Sequence, residues 1–302
     1  MVLTLSLLLM GLNAAANQSS IESKTGYNSS RQFSASLSGT WELGDKAFTD
    51  LSLTHTRSPA DTIARTDSFT QLSLGAGYSV DYLGFDAGFN LARQPLEQIH
   101  SIGGYFGITY FYSASDQPPN DEASENTQLL HTQTYSKPSL LLPVFWIRTG
   151  YAINSITSDL LLGPDDGGKD TTLSIDGFYL VNDELVLGSG IGVHFYEQKR
   201  NLFKSFIQNS NNVYLNLLTN TVLGYPKTTF NLNANWQLAP RDSLLPRYQA
   251  TEIETSRDWI HTVDLGWRHQ FTKHLYMTPT YEISFQSMMA YTGLLFSLLY
   301  VF

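Results

Sequence analysis

From residue 31 onward, apolar and polar positions alternate with a period of two. Phe33, Ala35, Leu37, Gly39, Trp41 and Leu43 interleave with Gln32, Ser34, Ser36, Ser38, Thr40 and Glu42. The same alternation runs through 71–80, 83–91 and 228–238. Successive side chains on a strand point to opposite faces, so each segment carries one apolar and one polar face. No segment keeps a helical period over three turns. The pattern predicts strands over 31–43, 47–57, 68–80, 82–93, 101–113, 127–137, 139–159, 171–182, 184–197, 210–223, 226–238, 257–271, 275–286 and 288–302. Gly44-Asp45-Lys46, Asp81-Tyr82, Asn182-Asp183 and Thr272-Lys273-His274 are hairpin-sized turns. The stretches 58–67, 114–126, 160–170, 198–209 and 239–256 are longer, polar connections.

Composition narrows the class. The chain has 302 residues, and 15% of them are charged, against about 25% in ordinary soluble domains. Aromatic residues make up 13%, too many for a disordered chain. The absence of cysteine excludes disulfides and Cys-ligated metal sites. A net charge of -9 disfavours nucleic acid as a partner. Met1 to Leu12 is apolar and leads into Asn13-Ala14-Ala15-Ala16, which reads as a signal peptide over 1–16, although it lacks a basic start. A buried N-terminal helix or strand is the alternative. Residues 17–30 are then expected as an extension and 31–302 as one barrel domain. No other run reaches the ~18 apolar residues of a membrane helix.

A soluble sandwich would bury the apolar faces and wet the polar ones. The expected strands are instead long and numerous. Trp259 and Trp267 share one face, eight residues apart, which on a tilted strand spans about 21 Å, close to the ~25 Å apolar band of a membrane barrel. Trp41, Trp236, Trp259 and Trp267 are the candidates for its aromatic girdle. In lipid every backbone polar group must be paired, so a sheet crosses only by closing on itself. The prediction is an all-β, closed antiparallel transmembrane barrel of about 14 strands, with 12 as the alternative, in an up-and-down meander.

The chain ends on an alternating strand, Leu294, Phe296, Leu298, Tyr300 and Phe302. This ending resembles that of Gram-negative outer-membrane β-barrel proteins of the porin-like class. The resemblance implies residence in the outer membrane among lipid and lipopolysaccharide. It also implies that this last strand is the signal read by the barrel-assembly machinery. One departure is that Leu295, Leu299 and Val301 make the opposite face apolar too, as if it packed on an internal element or a partner.

With the apolar face toward lipid, the polar face lines the lumen. Gly75, Gly77, Gly84, Gly88, Gly103, Gly107, Gly188, Gly190 and Gly192 all fall on it. They either ease close packing in a curved sheet or leave room for a water path. The inward charges are Asp86, Asp176, Asp264, Glu282 and Arg268, with His194. Their acidic balance favours cations. The expected selectivity residues are Asp86, Asn231, Asn233, Asn235, Asp264, Arg268 and Glu282. Phe271 and Leu275 share a face, so the three-residue turn between them sets Asp264 opposite Glu282. Like charges so placed need an offset, from Arg268, a bound cation or a protonated carboxyl. The result is either a cation-attracting constriction or two charges screened in a wide, wet lumen.

Catalytic residues are not expected. His55, His100, His131 and His261 have no suitably placed partner on their own strands, although pairs on different strands cannot be read. The acidic loop 163–170 lacks the spacing of a calcium loop. Pro143 and Pro279 fall inside expected strands and predict irregularities there. No cofactor or metal is implied. The chain reads as a channel for passive or weakly selective diffusion of small polar or cationic solutes. The alternatives are a non-conducting barrel that partners an envelope export or adhesion assembly, and a barrel hydrolase.

Overall fold

The alternating segments do form strands, and these pair edge to edge until no edge is left. A computed structural model describes residues 19–29, 31–44, 46–59, 66–94, 99–112, 145–158, 168–182, 184–198, 214–216, 221–223, 226–253, 257–286 and 289–302. The elements are β1 (Ser19–Asn28), β2 (Phe33–Glu42), β3 (Ala47–Pro59), β4 (Thr66–Val80), β5 (Leu83–Gln94), β6 (Ile99–Tyr112), β7 (Phe145–Ser158) and β8 (Gly168–Asn182). They continue with β9 (Leu185–Gln198), β10 (Tyr214–Asn216), β11 (Thr221–Leu223), β12 (Pro226–Ala239), β13 (Asp242–Ile253), β14 (Trp259–Gln270), β15 (Leu275–Gln286) and β16 (Met289–Val301). Fourteen of them close a barrel in chain order, and β1 pairs with β16 to shut the ring. The short strands β10 and β11 pair only with each other.

The expected strand count holds, but two of its members differ. The stretch 17–30, expected as an extension outside the barrel, supplies β1. The stretch 239–256, expected as a loop, supplies β13. In exchange, 210–223 contributes only β10 and β11, neither of them in the barrel. The expected strand 127–137, Pro143 and the segment 1–16 lie outside the described residues.

Each new strand has a physical reason for its weak pattern. In β1 the charged Glu22 and Lys24 face inward, where they pair at 2.9 Å. In β13 Pro246 sits on the outward face and removes a ladder donor. The pairs Asn233↔Arg247 and Trp236↔Leu244 flank that gap in an unchanged register. Pro279 behaves alike in β15: the ladder to β14 is interrupted between Gly266↔Thr280 and His269↔Met277, but no register shift occurs. The irregularity expected at Pro279 is therefore a gap and not a bulge.

Tight turns gather at the end that holds Ser19 and Phe302, where the Phe302 N–H donates to the Ser19 carbonyl at 2.8 Å. We call this the near end. Asp81 takes a left-handed φ of 51° in its two-residue turn. The Asn182 side chain accepts from the N–H groups of Glu184 and Leu185, and the Thr272 hydroxyl from those of His274 and Leu275. Such local side-chain bonds let the backbone reverse without a partner strand.

The alternation now has a direction. Tyr78, Ile102, Phe106, Ile175, Phe195, Trp267 and Leu294 are exposed, and so are their apolar same-face neighbours around the ring. The opposite face meets itself inside: Glu22 of β1 and Phe178 of β8, from opposite sides of the ring, border one cavity. A monomer in water does not carry so large a continuous apolar surface. The greasy side faces outward, as a barrel in lipid requires.

Trp41 departs from this pattern. It lies on the outward face but is buried with Ile21 and Leu37, with Leu51 and Phe302 packed against them. Its ring covers Gly39, where an added Cβ would stand 2.5 Å from the indole. It is a packing residue of the β1–β2 seam, not an exposed member of a girdle.

Because β1 supplies one side of two ladders, removing residues 19–28 leaves β2 and β16 as open edges. The expected outcome is loss of the fast-migrating folded band when unheated samples are run in SDS gels.

Candidate functional site: the lumen wall

The inward glycines are neither empty space nor simple curvature relief. Most are slots occupied by a neighbour's side chain lying along the sheet. Tyr105 lies across Gly88, where an added Cβ would meet its ring at 2.5 Å. Phe178 covers Gly188 in the same way at 2.6 Å, and Phe48 covers Gly77. Arg148 spans both Gly107 and Gly150, with guanidinium nitrogens 2.5 and 2.9 Å from their would-be Cβ atoms. Bulky groups thus lie along the wall. Gly192 is the contrast, with no atom closer than 3.9 Å.

Charged groups use these slots to reach across strands. Arg148 of β7 passes over β6 at Gly107 to hold Asp86 of β5, with Nη2 to Oδ2 at 2.8 Å and Nε to Oδ1 at 3.3 Å. Its other nitrogen approaches Asp176 of β8 at 3.9 Å. Asp176 then faces Asn231 across Gly190, and Asn231 hydrogen-bonds it. The belt continues through the paired positions Asn233↔Arg247, Arg247↔Asp264 and Asp264↔Glu282.

The expected pairing of Asp264 with Glu282 is therefore present, but its surroundings are not those foreseen. Both side chains are buried, so a wide, wet lumen does not screen them. The offset is Arg247, whose Nε donates to Asp264 Oδ2 at 2.6 Å. Glu282 stands opposite Asp264 in the β14–β15 ladder, and Ser284 donates to Glu282 at 3.4 Å. The internal cation takes the place of the bound cation or Arg268 that the sequence suggested. Arg268 instead borders a cavity together with Glu22, Lys24, Thr278 and Ser297.

All seven expected selectivity residues face inward. Asp86, Asn231, Asn233, Asp264 and Glu282 share the belt, while Arg268 and Asn235 lie nearer the near end. Sequence reasoning missed Asp50, Glu22, Lys24, Arg148 and Arg247. Arg148 was legible from the parity of its own strand. Arg247, Glu22 and Lys24 were hidden in stretches not recognised as strands. With these added, and with Glu42 and Asp170 on the same face, the lining sets Lys24, Arg148, Arg247 and Arg268 against Glu22, Glu42, Asp50, Asp86, Asp170, Asp176, Asp264 and Glu282, so it gains cations but stays acidic in balance.

Water does not reach all of the wall equally. At the near end, the inward side chains of Glu42, Phe48, Phe111, Trp146, Tyr276 and Leu299 are buried. Trp146 and Phe178 stack at 4.6 Å. The inward apolar face of β16 packs through Leu299 and Val301 on Tyr276, which explains its double-sided pattern. These contacts are between adjacent strands, so the buried groups form a ring of side chains packed along the wall at this end. Midway, Asp176 and Arg247 keep 32% and 29% of their side chains exposed and mark the wet part of the belt.

Two histidine–aspartate pairs join different strands. His194 Nδ1 lies 3.0 Å from Thr172 Oγ1 and 3.3 Å from Asp170. A relay needs nucleophile and orienting group on opposite ring nitrogens, whereas here both meet Nδ1. Asp242 accepts from Trp267 Nε1 at 3.0 Å and contacts His269 Nδ1 at 2.9 Å. That pair sits at the near rim beside Leu244 and Phe271, with no hydroxyl nucleophile bonded to it among the described residues. Trp236, Trp259 and Trp267 are exposed on the outward face, as are Leu294, Phe296, Leu298 and Tyr300. No cluster of three metal-ligating side chains occurs among the described residues.

No family model matches the sequence, and no curated protein matches it. Solved structures of the same shape do exist. The CymD monoaromatic hydrocarbon channel superposes with a TM-score of 0.55 at 11% identity, over 97% of this chain and 91% of that one. This is the fold of outer-membrane β-barrels. The toluene transporter TodX of Pseudomonas putida gives 0.51 at 10% identity, over 97% and 90% of the two chains. The outer membrane protein Omp33 of Acinetobacter baumannii gives 0.50 at 9%, over 95% and 99%.

Two predictions follow from the wall. Gly88→Ala should lower stability by about 1–3 kcal/mol through overpacking against Tyr105 and the Leu74 carbonyl, whereas Gly192→Ala should be tolerated; urea unfolding of both refolded variants makes the comparison. Arg247→Met should cost about 3–5 kcal/mol by leaving buried carboxyl groups without their cation. Adding Glu282→Gln to that variant should recover part of the loss in the same assay.

Proposed function

We propose that the chain is an outer-membrane channel of a Gram-negative bacterium that passes small polar solutes with weak selectivity. The observation that carries this reading is the wall itself. A closed barrel of fourteen strands is too wide to be filled by its own side chains, and here the bulky inward groups lie flat in glycine slots. Neutral Asn, Ser and Thr groups between opposed charges offer hydrogen bonds to solutes of either sign. The acidic excess of the lining favours a mild preference for cations among those solutes. CymD and TodX are a hydrocarbon channel and a toluene transporter; the polar belt here supports polar cargo instead.

In this reading the exposed face of β16 ending at Phe302 is what the barrel-assembly machinery engages. Trp236, Trp259 and Trp267 sit among lipid and lipopolysaccharide headgroups. The buried ring at the near end favours a second reading, a non-conducting barrel serving an envelope assembly. A hydrolase has less support, since neither histidine pair is joined to a nucleophile in relay geometry.

Planar-bilayer recording separates the two main readings. A channel gives discrete conductance steps, and Trp146→Ala should enlarge them by opening the near-end ring. Asp264→Asn with Glu282→Gln should shift the reversal potential toward anions, because Arg247 is then unopposed. Silent bilayers with protein that is folded by gel shift would favour the non-conducting barrel.

A further inference from the structure

Between β12, β13, β14, β15, β16 and β1 lies a cavity of about 120 Å³. Five charged side chains border it: Glu22, Lys24, Arg247, Asp264 and Arg268. Four of them are already matched. Lys24 Nζ sits 2.9 Å from Glu22 Oε2, and Ser297 donates to Glu22 Oε1 at 2.6 Å. Arg247 holds Asp264. Arg268 is left over. Its Nε and Nη1 are buried and have no hydrogen-bond partner. Glu22 lies close enough to act on it through its field, but both carboxylate oxygens of Glu22 are engaged elsewhere.

A buried guanidinium with unmet donors is costly unless an anion completes it. With Glu282 beside Asp264 the charges around the cavity are three of each sign, so it is the unmet donors of Arg268 and not the net charge that call for an anion. Asn233, Thr278, Thr280 and Ser297 add neutral polar groups, while Phe178, Leu245 and Leu295 supply an apolar part of the border. The cavity is partly open, so a small ligand can enter it from the lumen.

We propose that Arg268 anchors a binding site for a small monocarboxylate with an apolar remainder. A carboxylate pairs with the guanidinium by charge-assisted hydrogen bonds, and the hydrocarbon part lies against Phe178 and Leu245. A divalent inorganic anion would leave the apolar part of the border unused. The proposal deepens the channel reading and rests on it for its purpose, since the site would select one class of solute from those that enter. Binding itself needs no conduction.

The test is calorimetric titration of the folded barrel in detergent with benzoate, benzyl alcohol and sulfate. Benzoate should bind, with the alcohol and sulfate each weaker by about tenfold or more. Arg268→Gln should weaken benzoate by about tenfold or more, and Arg57→Gln, on the outward rim of β3, should not. Equal benzoate affinity for Arg268→Gln and the parent, sulfate as tight as benzoate, or no benzoate binding would each overturn the site. If Arg268→Gln does not fold, phenylglyoxal labelling of Arg268 in the parent takes its place. Benzoate should slow that labelling and benzyl alcohol should not; equal rates overturn the proposal. Benzoate binding with silent bilayers would leave the site and remove the channel. Conductance steps without binding would do the reverse.

Discussion

Everything in this molecule depends on pairing the backbone where water cannot. A strand in hydrocarbon cannot leave its N–H and C=O groups bare, so the sheet must end where it began. The β1–β16 ladder, running from Ser20↔Val301 to Asn28↔Gly293, meets that requirement. It explains why a segment as polar as Ser19–Asn28 is a strand at all. Its place is set by two waiting edges, and its charged residues are tolerated because closure turns them inward.

Closure then creates a second problem, what to do with the inside. A wall of small polar groups alone would leave a wide pore, and a wall of upright bulky groups would clog it. Here glycines on one strand receive the side chains of the next, and the charges they admit are matched in pairs around the ring. Asp86 with Arg148, Asp264 with Arg247 and Glu22 with Lys24 each neutralise locally. The lumen is thereby polar, with its closest charges paired, an acidic excess over the wall as a whole, and unmet donors at Arg268.

Much of this was legible along the chain. Alternation located the strands with clean two-faced patterns, and parity across Thr272-Lys273-His274 correctly opposed Asp264 and Glu282. What was not legible has a common cause. In β13 the outward face carries Pro246 and Glu252 while the inward face carries Leu245 and Ile253, so neither face reads as apolar or polar. In β1 only Ile21 and Tyr27 are large and apolar. Arg247 was lost with its strand, and with it the answer to why two carboxylates can face each other. The glycine slots were beyond reach for a different reason: a residue's own strand does not reveal which neighbour will lie across it.

The direction in which the faces point is the claim on which the rest stands, and tryptophan quenching by lipid tests it most directly. Single-tryptophan variants that retain Trp236, Trp259, Trp267 or Trp146 would be folded into vesicles containing brominated lipid. The account predicts strong quenching for Trp236, Trp259 and Trp267 and little for Trp146, which faces the lumen. Quenching of Trp146 with the other three protected would contradict it.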